Sequence, residues 1–246
     1  MIPADHPRAR SLYTREALVD GFRRNLVVAE GLMAHGRGEA FDYLIGERTI
    51  PAARHATKAA AAMLLLSRQA VLSVNGNAAA LVPKEIVELA DITGAKIEVN
   101  LFYRTFDREL AIKAELEKHG ARNILGVGDR ASARIPELSS ERRRVDPEGI
   151  FAADTVFVPL EDGDRAEALA HMGKNVITVD LNPLSRTAKA ADITIVDNLV
   201  RAMPATIEQA RTLKGKNNAA LQKIVNGFDN RKNLAVSLQK IRSGNR

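Results

Sequence analysis

The feature that most constrains the fold is a repeated pattern in which a short apolar run ends abruptly in polar residues. The clearest case is residues 175–179, a largely β-branched run that Asp180, Asn182, Ser185 and Arg186 follow. A run of this length is typical of a strand buried on both faces. Ligands of open α/β sheets bind in the crevice outside the carboxyl ends of the strands. The pattern therefore predicts strands that deliver polar loops to one shared edge.

Six such runs alternate with helical segments along the chain. They lie near residues 70–74, 96–100, 123–127, 155–159, 175–179 and 193–196. This alternation predicts an α/β protein with an open, mostly parallel sheet of about six strands flanked by helices. Because no internal repeat or low-complexity linker divides the chain, we expect one domain over residues 1–246. Its core would span about residues 10–205, with a basic helical tail over residues 206–246.

Composition excludes several classes of site and partner. The chain has no cysteine, which excludes disulfides, zinc–thiolate centres and thiol nucleophiles. No apolar run approaches the roughly 18 residues of a membrane span, so we expect no membrane partner. The N-terminus lacks the basic and apolar regions of a signal peptide. These features favour a cytoplasmic enzyme.

The net charge of +6 is concentrated in the tail. Residues 201–246 hold 10 Lys and Arg against 2 acids, whereas the first 200 residues hold 26 basic and 28 acidic residues. A basic tail could contact nucleic acid. Aromatic residues that could stack on bases are nearly absent there, so a solvated helical surface or a subunit contact is favoured and no nucleic-acid partner is expected.

The N-terminal part contributes two candidate cations. A long helix is predicted from about Thr14 to residue 34, after an ordered arm over residues 2–13. Arg15 would then lie in its first turn, either in a salt bridge or beside a bound anion. Further on, Gly36 and Gly38 bracket Arg37 and predict a turn. His35 and Arg37 either form that turn or contact a phosphate.

Two further stretches bear on ligand binding. After the run at 70–74, Asn75, Gly76 and Asn77 precede a short helix that Asn77 could cap, a strand–turn–helix geometry that suits an anion. After the run at 155–159 come Glu161, Asp162 and Asp164. Asp164 resembles the start of a capping box with Glu167. The alternative is that these acids bind Mg²⁺, an amine or ribose hydroxyls.

The polar residues after the strands share one chemistry. Asp and Asn suit ribose hydroxyls and base amino groups, and arginines suit phosphates. From the residues alone we expect an α/β protein that binds a phosphorylated ligand, with a nucleotide as the natural candidate. The side chains expected at this edge are Asn75, Asn77, Asn100, Glu161, Asp162, Asp164, Asp180, Asn182, Arg186, Thr187, Asp197 and Asn198, with Arg15 and Arg37 from the N-terminal part.

Six longer strings carry a family resemblance. They are HGRGEAFDYLIGE at 35–47, SVNGN at 73–77, EVNLF at 98–102, VPLEDGDR at 158–165, DLNPLSRT at 180–187 and IVDN at 195–198. Together they resemble the archaeal 4-phosphopantoate–β-alanine ligase family, also called phosphopantothenate synthetase. The resemblance covers roughly residues 2–205. Asp5 stands where the family would have a serine, and the tail after about residue 210 matches nothing usable.

The resemblance implies a step of coenzyme A biosynthesis. ATP, 4-phosphopantoate and β-alanine would give 4′-phosphopantothenate, AMP and diphosphate through an acyl-adenylate, on a Rossmann-like homodimer. The ATP contacts that it implies fall on Arg15, Arg37, Asp180, Leu181, Asn182, Arg186, Thr187, Asp197 and Asn198.

The mechanism that we expect assigns the remaining candidates. Arg15, Arg37 and Mg²⁺ would bind the triphosphate, and the turn from Asn75 to Asn77 would hold the substrate phosphate. Asp162 or Asp164 would position Mg²⁺ or the β-alanine ammonium. The ligands of the metal stay unassigned.

Two rival classes remain from the sequence alone. Gly126-x-Gly128-x-x-Ala131 is a near match to the fingerprint of nucleotide-dependent dehydrogenases. The residues that follow predict a poor helix, and residues 139–146 predict an Arg-rich surface loop, whereas the fingerprint requires a strand, a turn and a helix. The second rival is a nucleic-acid-binding protein that uses the basic tail.

Overall fold

The computed structural model describes residue 3, residues 5–6 and residues 8–244, without the side chains of residues 36–39. Five parallel strands form the sheet: β1 (Ala70–Val74), β2 (Lys96–Val99), β5 (Thr155–Phe157), β6 (Asn175–Val179) and β7 (Ile193–Ile195). A separate antiparallel pair joins β3 (Ala133–Arg134) to β4 (Arg144–Val145). The predicted α/β class with an open parallel sheet is confirmed.

Helices cover both faces of the sheet and extend beyond it at each end of the chain. They are α1 (Ala9–Arg23), α2 (Ala29–Ile45), α3 (Pro51–Leu66), α4 (Gly76–Leu81), α5 (Pro83–Thr93), α6 (Phe106–Lys118), α7 (Gly163–His171), α8 (Arg186–Ala190), α9 (Leu199–Leu213), α10 (Asn218–Asn226) and α11 (Asn230–Ser243). Within these described ranges, no helix combines the length and the apolar character needed to cross a membrane.

The strand order β2-β1-β5-β6-β7 places β1 at the point where the winding of the chain changes direction. The chain goes from β1 outward to β2, and then returns to β5 on the other side of β1. Because the connections on the two sides of this point leave over opposite faces, a crevice opens between the ends of β1 and β5. The fold thus predicts a ligand site there.

Strand residues alternate between two apolar layers. Leu72, Val74 and Ile177 join the larger core with the buried residues of α3, α5 and α9. Val71 and Val176 join a second core on the opposite face, which includes residues of α7. The sheet is therefore buried on both sides, as its continuous apolar runs predict.

The run at 123–127 is not a strand, which corrects the count of six. Only Leu125 pairs with β2, through a single parallel bridge to Glu98. Asn123 and Gly126 have φ values of 53° and 75°, so the backbone leaves the extended region on both sides of Leu125. Two left-handed residues three positions apart prevent a ladder from forming.

The N-terminal helix prediction is also wrong in its bounds. Helix α1 begins at Ala9, so Thr14 lies inside it and Arg15 is not in its first turn. Asn25, with a φ of 60°, interrupts the predicted helix, and Leu26 and Val27 are buried in the core instead. The predicted turn at residues 35–38 lies inside α2, which ends at Gly46 in the left-handed conformation.

Three local predictions change as well. Asn75, rather than Asn77, caps α4, and Asp162, rather than Asp164, caps α7. The stretch 139–146 is not a plain surface loop, because it contains a 3-10 turn and β4 and because Arg142 is buried. Asp229 caps α11.

The basic tail has a structural role. Leu213 and Leu221 belong to the larger core, and Phe228 and Ile241 pack against it. Helices α10 and α11 both contact α3. These contacts support the interpretation of the tail as a helical surface, and its basic residues lie mostly on the exposed side.

A buried carboxyl group joins β2 to the segment after β4. Glu98 accepts the N–H groups of Asp146 and Ile150 at 2.9 and 2.6 Å. Burial raises the pKa of Glu98 from 4.5 to about 7, against the effect of these hydrogen bonds. The folded protein therefore retains a proton that the unfolded chain loses in this interval. Its contribution to stability falls as the pH rises through the same interval.

We expect Glu98→Gln to remove this pH dependence. The difference in free energy of unfolding, parent minus variant, should fall by up to about 3 kcal/mol as the pH rises from about 4.5 to about 7.5. Urea denaturation at several pH values measures it. Glu148→Gln, at a carboxylate whose side chain is 74% exposed, is the control and should show no such trend. A constant offset between parent and Glu98→Gln would contradict the prediction.

Candidate functional site

A cavity of about 510 Å³ opens at the carboxyl edge of the sheet. All five strands of the parallel sheet contribute to it through the residues that follow them. These residues are Asn75, Gly76 and Asn77 after β1, Leu101, Phe102 and Tyr103 after β2, Leu160, Glu161 and Asp162 after β5, Asp180, Leu181 and Asn182 after β6, and Asn198 and Leu199 after β7. The expectation that strand ends share one site is therefore met by these residues.

Helix α2 forms another wall of the cavity, through Glu30, Gly31 and His35 among others. Asn77 Nδ2 donates to the carbonyl of Gly31 at 2.9 Å and so ties α2 to the end of β1. The close approach of the chain before α2 requires a glycine at position 76. A Cβ atom there would lie 2.0 Å from the carbonyl oxygen of Leu26.

Asn75 connects the two strands that flank the crevice. Its Oδ1 accepts the N–H of Ala78 at 3.0 Å, which caps α4. Its Nδ2 donates to the carbonyls of Pro159 and Leu160, at 2.9 and 3.2 Å, in the loop after β5. The amides of both predicted residues, Asn75 and Asn77, thus line the cavity but already bind backbone carbonyls.

A network of charged side chains lies beside the end of β5 and consists of Glu161, Asp162, Arg142 and Arg165. Glu161 accepts from Arg165 and lies 2.8 Å from a guanidinium nitrogen of Arg142. Burial acts to raise the pKa of Glu161, but the charges of Arg142 and Arg165 outweigh it and leave the pKa below its usual value. Glu161 therefore stays ionised, although its side chain is only 1% exposed.

Asp162 differs from its neighbour. Its Oδ1 caps α7, while its Oδ2 is buried and makes no hydrogen bond within the described part of the chain. Arg142 Nε lies 3.0 Å from this oxygen, but neither atom meets hydrogen-bond geometry. Burial, and then the charge of Glu161, raise the pKa of Asp162. Asp162 is thus a relatively basic carboxylate that faces the cavity.

Three predicted residues of α7 and α8 lie outside the cavity wall. Asp164 is exposed and pairs with Arg186 at 2.7 Å. Arg186 also pairs with Glu167, and its side chain is 61% exposed. Thr187 is buried, and its hydroxyl donates to the carbonyl of Glu161 at 3.0 Å. Their backbone is close to the site, but their side chains are engaged elsewhere.

The loop after β6 presents a second carboxylate. Asp180 accepts the N–H of Asn182 at 2.9 Å and the hydroxyl of Ser185 at 2.5 Å. Burial raises the pKa of Asp180, although both of these bonds oppose the shift. Asp180, Leu181 and Asn182 all line the cavity, and the sequence predicts this edge position for Asp180 and Asn182.

Asp197 and Asn198 behave differently from each other. Asn198 lines the main cavity and also a small adjoining cavity of about 30 Å³. Asp197 is fully buried, accepts the hydroxyl of Thr49 at 2.5 Å and pairs with Arg201 at 2.6 Å. Arg201 in turn pairs with Asp42 of α2. Asp197 therefore holds the wall of the site, and its carboxylate is already paired.

The two predicted N-terminal cations, Arg15 and Arg37, have different outcomes. Arg15 is exposed on α1 and is not among the residues that line either cavity. The predicted role of Arg37 concerns a side chain that lies outside the described residues; its backbone is part of α2. Both ATP contacts stay predictions.

Sequence reasoning missed Arg108 and Arg142, which are buried and line the cavity. Arg142 sits in an arginine-rich run that is typical of a solvated loop. The one available signal was Asn100, predicted at a strand end, whose Nδ2 donates to the carbonyl of Arg142 at 3.0 Å. Arg108 has no sequence signal, since it comes close to the site only through the packing of α6.

The described side chains do not include a group of three His, Asp or Glu residues that could hold a metal ion. The carboxylates at the cavity are Glu30, Glu161, Asp162 and Asp180. A divalent cation here would need ligands from a bound anion in addition to these.

We expect Gly76→Ala to destabilise the protein, because the added methyl group collides with the carbonyl of Leu26 and lies 2.8 Å from Arg108 Nη2. The cost of such overpacking is about 1–3 kcal/mol, which should lower the unfolding temperature by roughly 2–10 °C. Calorimetry measures it. Gly227→Ala is the matched control, since Gly227 has an ordinary φ of −81° and its Cβ would lie no closer than 3.2 Å to a neighbour. Equal unfolding temperatures for both variants would contradict this account.

Comparison with known proteins assigns the family. A sequence profile described as phosphopantothenate/pantothenate synthetase matches residues 52–244. Two relatives, from Thermococcus kodakarensis and Methanosarcina mazei, are 56% and 51% identical; each alignment covers 98% of this chain, and 92% and 94% of the respective relative. A third, from Methanospirillum hungatei, is 51% identical over 82% of each chain. All three are named 4-phosphopantoate–β-alanine ligase. These matches confirm the resemblance seen in the six strings: the chain belongs to the phosphopantothenate/pantothenate synthetase family.

Proposed function

We propose that the chain is an ATP-dependent ligase that joins 4-phosphopantoate to β-alanine. The products would be 4′-phosphopantothenate, AMP and diphosphate, in coenzyme A biosynthesis. The names of the relatives support the overall reaction. The observation that carries the proposal is the cavity at the β1–β5 crevice, where residues that follow five strands meet buried arginines and carboxylates.

The reaction has two steps in this proposal. First, a carboxylate oxygen of 4-phosphopantoate attacks the α-phosphorus of ATP, and the bond to the diphosphate oxygen breaks. Second, the amine nitrogen of β-alanine attacks the acyl carbon, the bond to AMP breaks, and the ammonium proton leaves. Two anions must meet in the first step, so positively charged and N–H donors must offset their repulsion. Holding the reactants together can supply up to about 7–11 kcal/mol of the barrier.

In this proposal the nucleotide binds at the ends of β6 and β7. Asp180 and Asn182 offer the acceptors and amides that suit a ribose and a base, and Leu181 and Asn198 lie beside them at the cavity. Arg15 and Arg37 would bind phosphates. Arg186 would have to break its ion pairs with Asp164 and Glu167 in order to bind the nucleotide. Thr187 and Asp197 would act indirectly, through the loops that they hold.

Mg²⁺ fits this arrangement as an ion that arrives with ATP. Such ions are commonly bound by one or two carboxylates together with substrate phosphates, and Asp180 is a carboxylate at the cavity beside the residues proposed for the nucleotide. The ion would neutralise phosphate charge.

Asp162 is proposed to receive the β-alanine amine. Its Oδ2 makes no hydrogen bond within the described part of the chain, and its raised pKa favours proton uptake. Glu161 is less suited, because two arginines stabilise its ionised form. Asp164 is exposed and does not line the cavity.

The structure argues against one rival class. Gly128 begins a 3-10 turn and short β3 follows, so the strand–turn–helix of the dehydrogenase fingerprint does not form. Gly126 packs against the carbonyl of Val99 and does not line the cavity. For the nucleic-acid rival, the packing of the tail favours a structural role. The homodimer and the cytoplasmic location stay predictions.

We expect the purified protein, given ATP, Mg²⁺, 4-phosphopantoate and β-alanine, to form AMP and 4′-phosphopantothenate in equal amounts. Chromatographic separation of the nucleotides measures this. Omission of β-alanine should leave phosphopantoate-dependent exchange of labelled diphosphate into ATP, because the first step is reversible. Formation of ADP instead of AMP would replace the adenylate route by an acyl-phosphate route.

We expect Asp162→Asn to lower kcat/KM for β-alanine by about 10- to 1000-fold, as loss of a proton-accepting group does. Diphosphate exchange should remain within about threefold of the parent, because Asn still caps α7. Asp164→Asn is the matched control, and its ligation rate should stay close to that of the parent. Parallel loss of exchange and ligation in Asp162→Asn would exclude the amine role.

A further inference from the structure

Two arginines in the cavity wall are buried to an unusual degree. Arg108 is 6% exposed and Arg142 is 8% exposed, and both line the cavity. Arginine is rarely buried this far unless a partner compensates its charge. Each also has a buried Nε without a hydrogen bond within the described part of the chain. Each side chain therefore has a donor without a hydrogen bond, although Arg142 Nε lies 3.0 Å from Asp162 Oδ2.

Arg108 binds only neutral acceptors in the described structure. It donates to the carbonyl of Tyr103, and its Nη2 donates to the carbonyl of Leu26 at 2.8 Å. Among the described residues, no carboxylate lies within ion-pair distance of its guanidinium. Burial, and then the charge of Arg142, lower the pKa of Arg108, and the charge of Glu30 opposes the shift. A bound anion would offset the repulsion from Arg142.

The charge of Arg142 is already balanced. Arg142 and Arg165 together face Glu161 and Asp162, two cations against two carboxylates. Arg108 lies outside these pairs, and the carboxylate whose charge acts on it is Glu30 of the same cavity. Two neighbouring guanidinium groups at one cavity offer the donors that suit a phosphate.

Contacts within the chain hold the segments that carry both arginines. Asn100 donates to the carbonyls of Arg142 and Arg144, each at 3.0 Å, and so attaches this segment to the end of β2. Thr105 caps α6, on which Arg108 lies. Both arginines are therefore held by the β2 side of the sheet.

We infer that Arg108 and Arg142 bind the phosphate group of the acid substrate, 4-phosphopantoate, an inference that rests on the proposed function. The residues proposed for ATP follow β6 and β7, whereas Arg108 lies on α6, which follows β2, and the backbone of Arg142 is attached to the end of β2. β2 and β6 are three strand spacings apart in the sheet, or about 14 Å. The carboxylate of the acid, at the other end of the molecule, can then face the nucleotide across the cavity. The amides of Asn75 and Asn77 are already bonded, so the arginines are better suited to this phosphate than the turn from Asn75 to Asn77.

The test removes the phosphate from the substrate and the guanidinium from the protein, singly and together. The kcat/KM for 4-phosphopantoate, divided by that for pantoate, is measured in the parent and in Arg108→Met. We expect this ratio to fall by about 10- to 100-fold in the variant, as expected for charge-assisted bonds to a phosphate. The KM for ATP should change by less than about threefold.

Arg104→Met is the matched control. Arg104 is a buried arginine on the same segment, it donates to the carbonyl of Arg144 at 3.0 Å, and it does not line the cavity. It should lower kcat/KM for both acids by the same factor and leave the ratio unchanged. Arg108→Lys, which keeps the charge, should lower the ratio by only about three- to tenfold. This second variant decides the question if Arg108→Met does not fold.

Failure of this inference differs from failure of the proposed function. A parent protein that makes no 4′-phosphopantothenate would refute the function. Calorimetric titration of parent and variant with 4-phosphopantoate and with pantoate would then test the arginines without catalysis, through the ratio of the two dissociation constants. An unchanged ratio in folded Arg108→Met or Arg108→Lys would overturn the inference. So would a raised KM for ATP with an unchanged ratio, since the arginines would then bind nucleotide phosphates.

Discussion

The site depends on the separation of β1 from β5 at their carboxyl ends and on the side chain that connects them. Beyond their last paired residues the two strands diverge, and the side chain of Asn75 spans the opening to Pro159 and Leu160. The same side chain caps α4. One residue thus fixes the start of a helix, the end of one strand and the loop after its neighbour. The other walls are built around this fixed point.

Burial and neighbouring charges determine the protonation states of the carboxyl groups in the site. Buried ion pairs do little for stability, because desolvation offsets their attraction. Here they set protonation states instead: Glu161 is kept ionised by two arginines, whereas Asp162 and Asp180 have raised pKa values. Carboxylates of similar sequence context therefore acquire different chemistry. The difference comes from the burial of each carboxyl group and from the charges beside it.

Strand runs and their polar ends were predictable, since apolar periodicity and sheet topology determine them. Asp180, Asn182 and Asn198 reach the cavity for this reason. The missing strand at 123–127 was not predictable, because it depends on left-handed backbone at Asn123 and Gly126. Arg108 and Arg142 could not be found either, since only tertiary packing turns an ordinary surface arginine into a buried donor. The six strings conveyed the family, but not the placement of these two side chains.

The position of the terminal helices has a consequence for how the protein behaves in solution. The apolar sides of α10 and α11 complete the core over α3, while most of the excess lysines and arginines project from their outer sides. The high isoelectric point is therefore a property of a segment that the fold needs. Deleting that segment to reduce binding to polyanions or cation exchangers would expose apolar surface on α3. Substitution of exposed lysines and arginines would lower the charge without this cost.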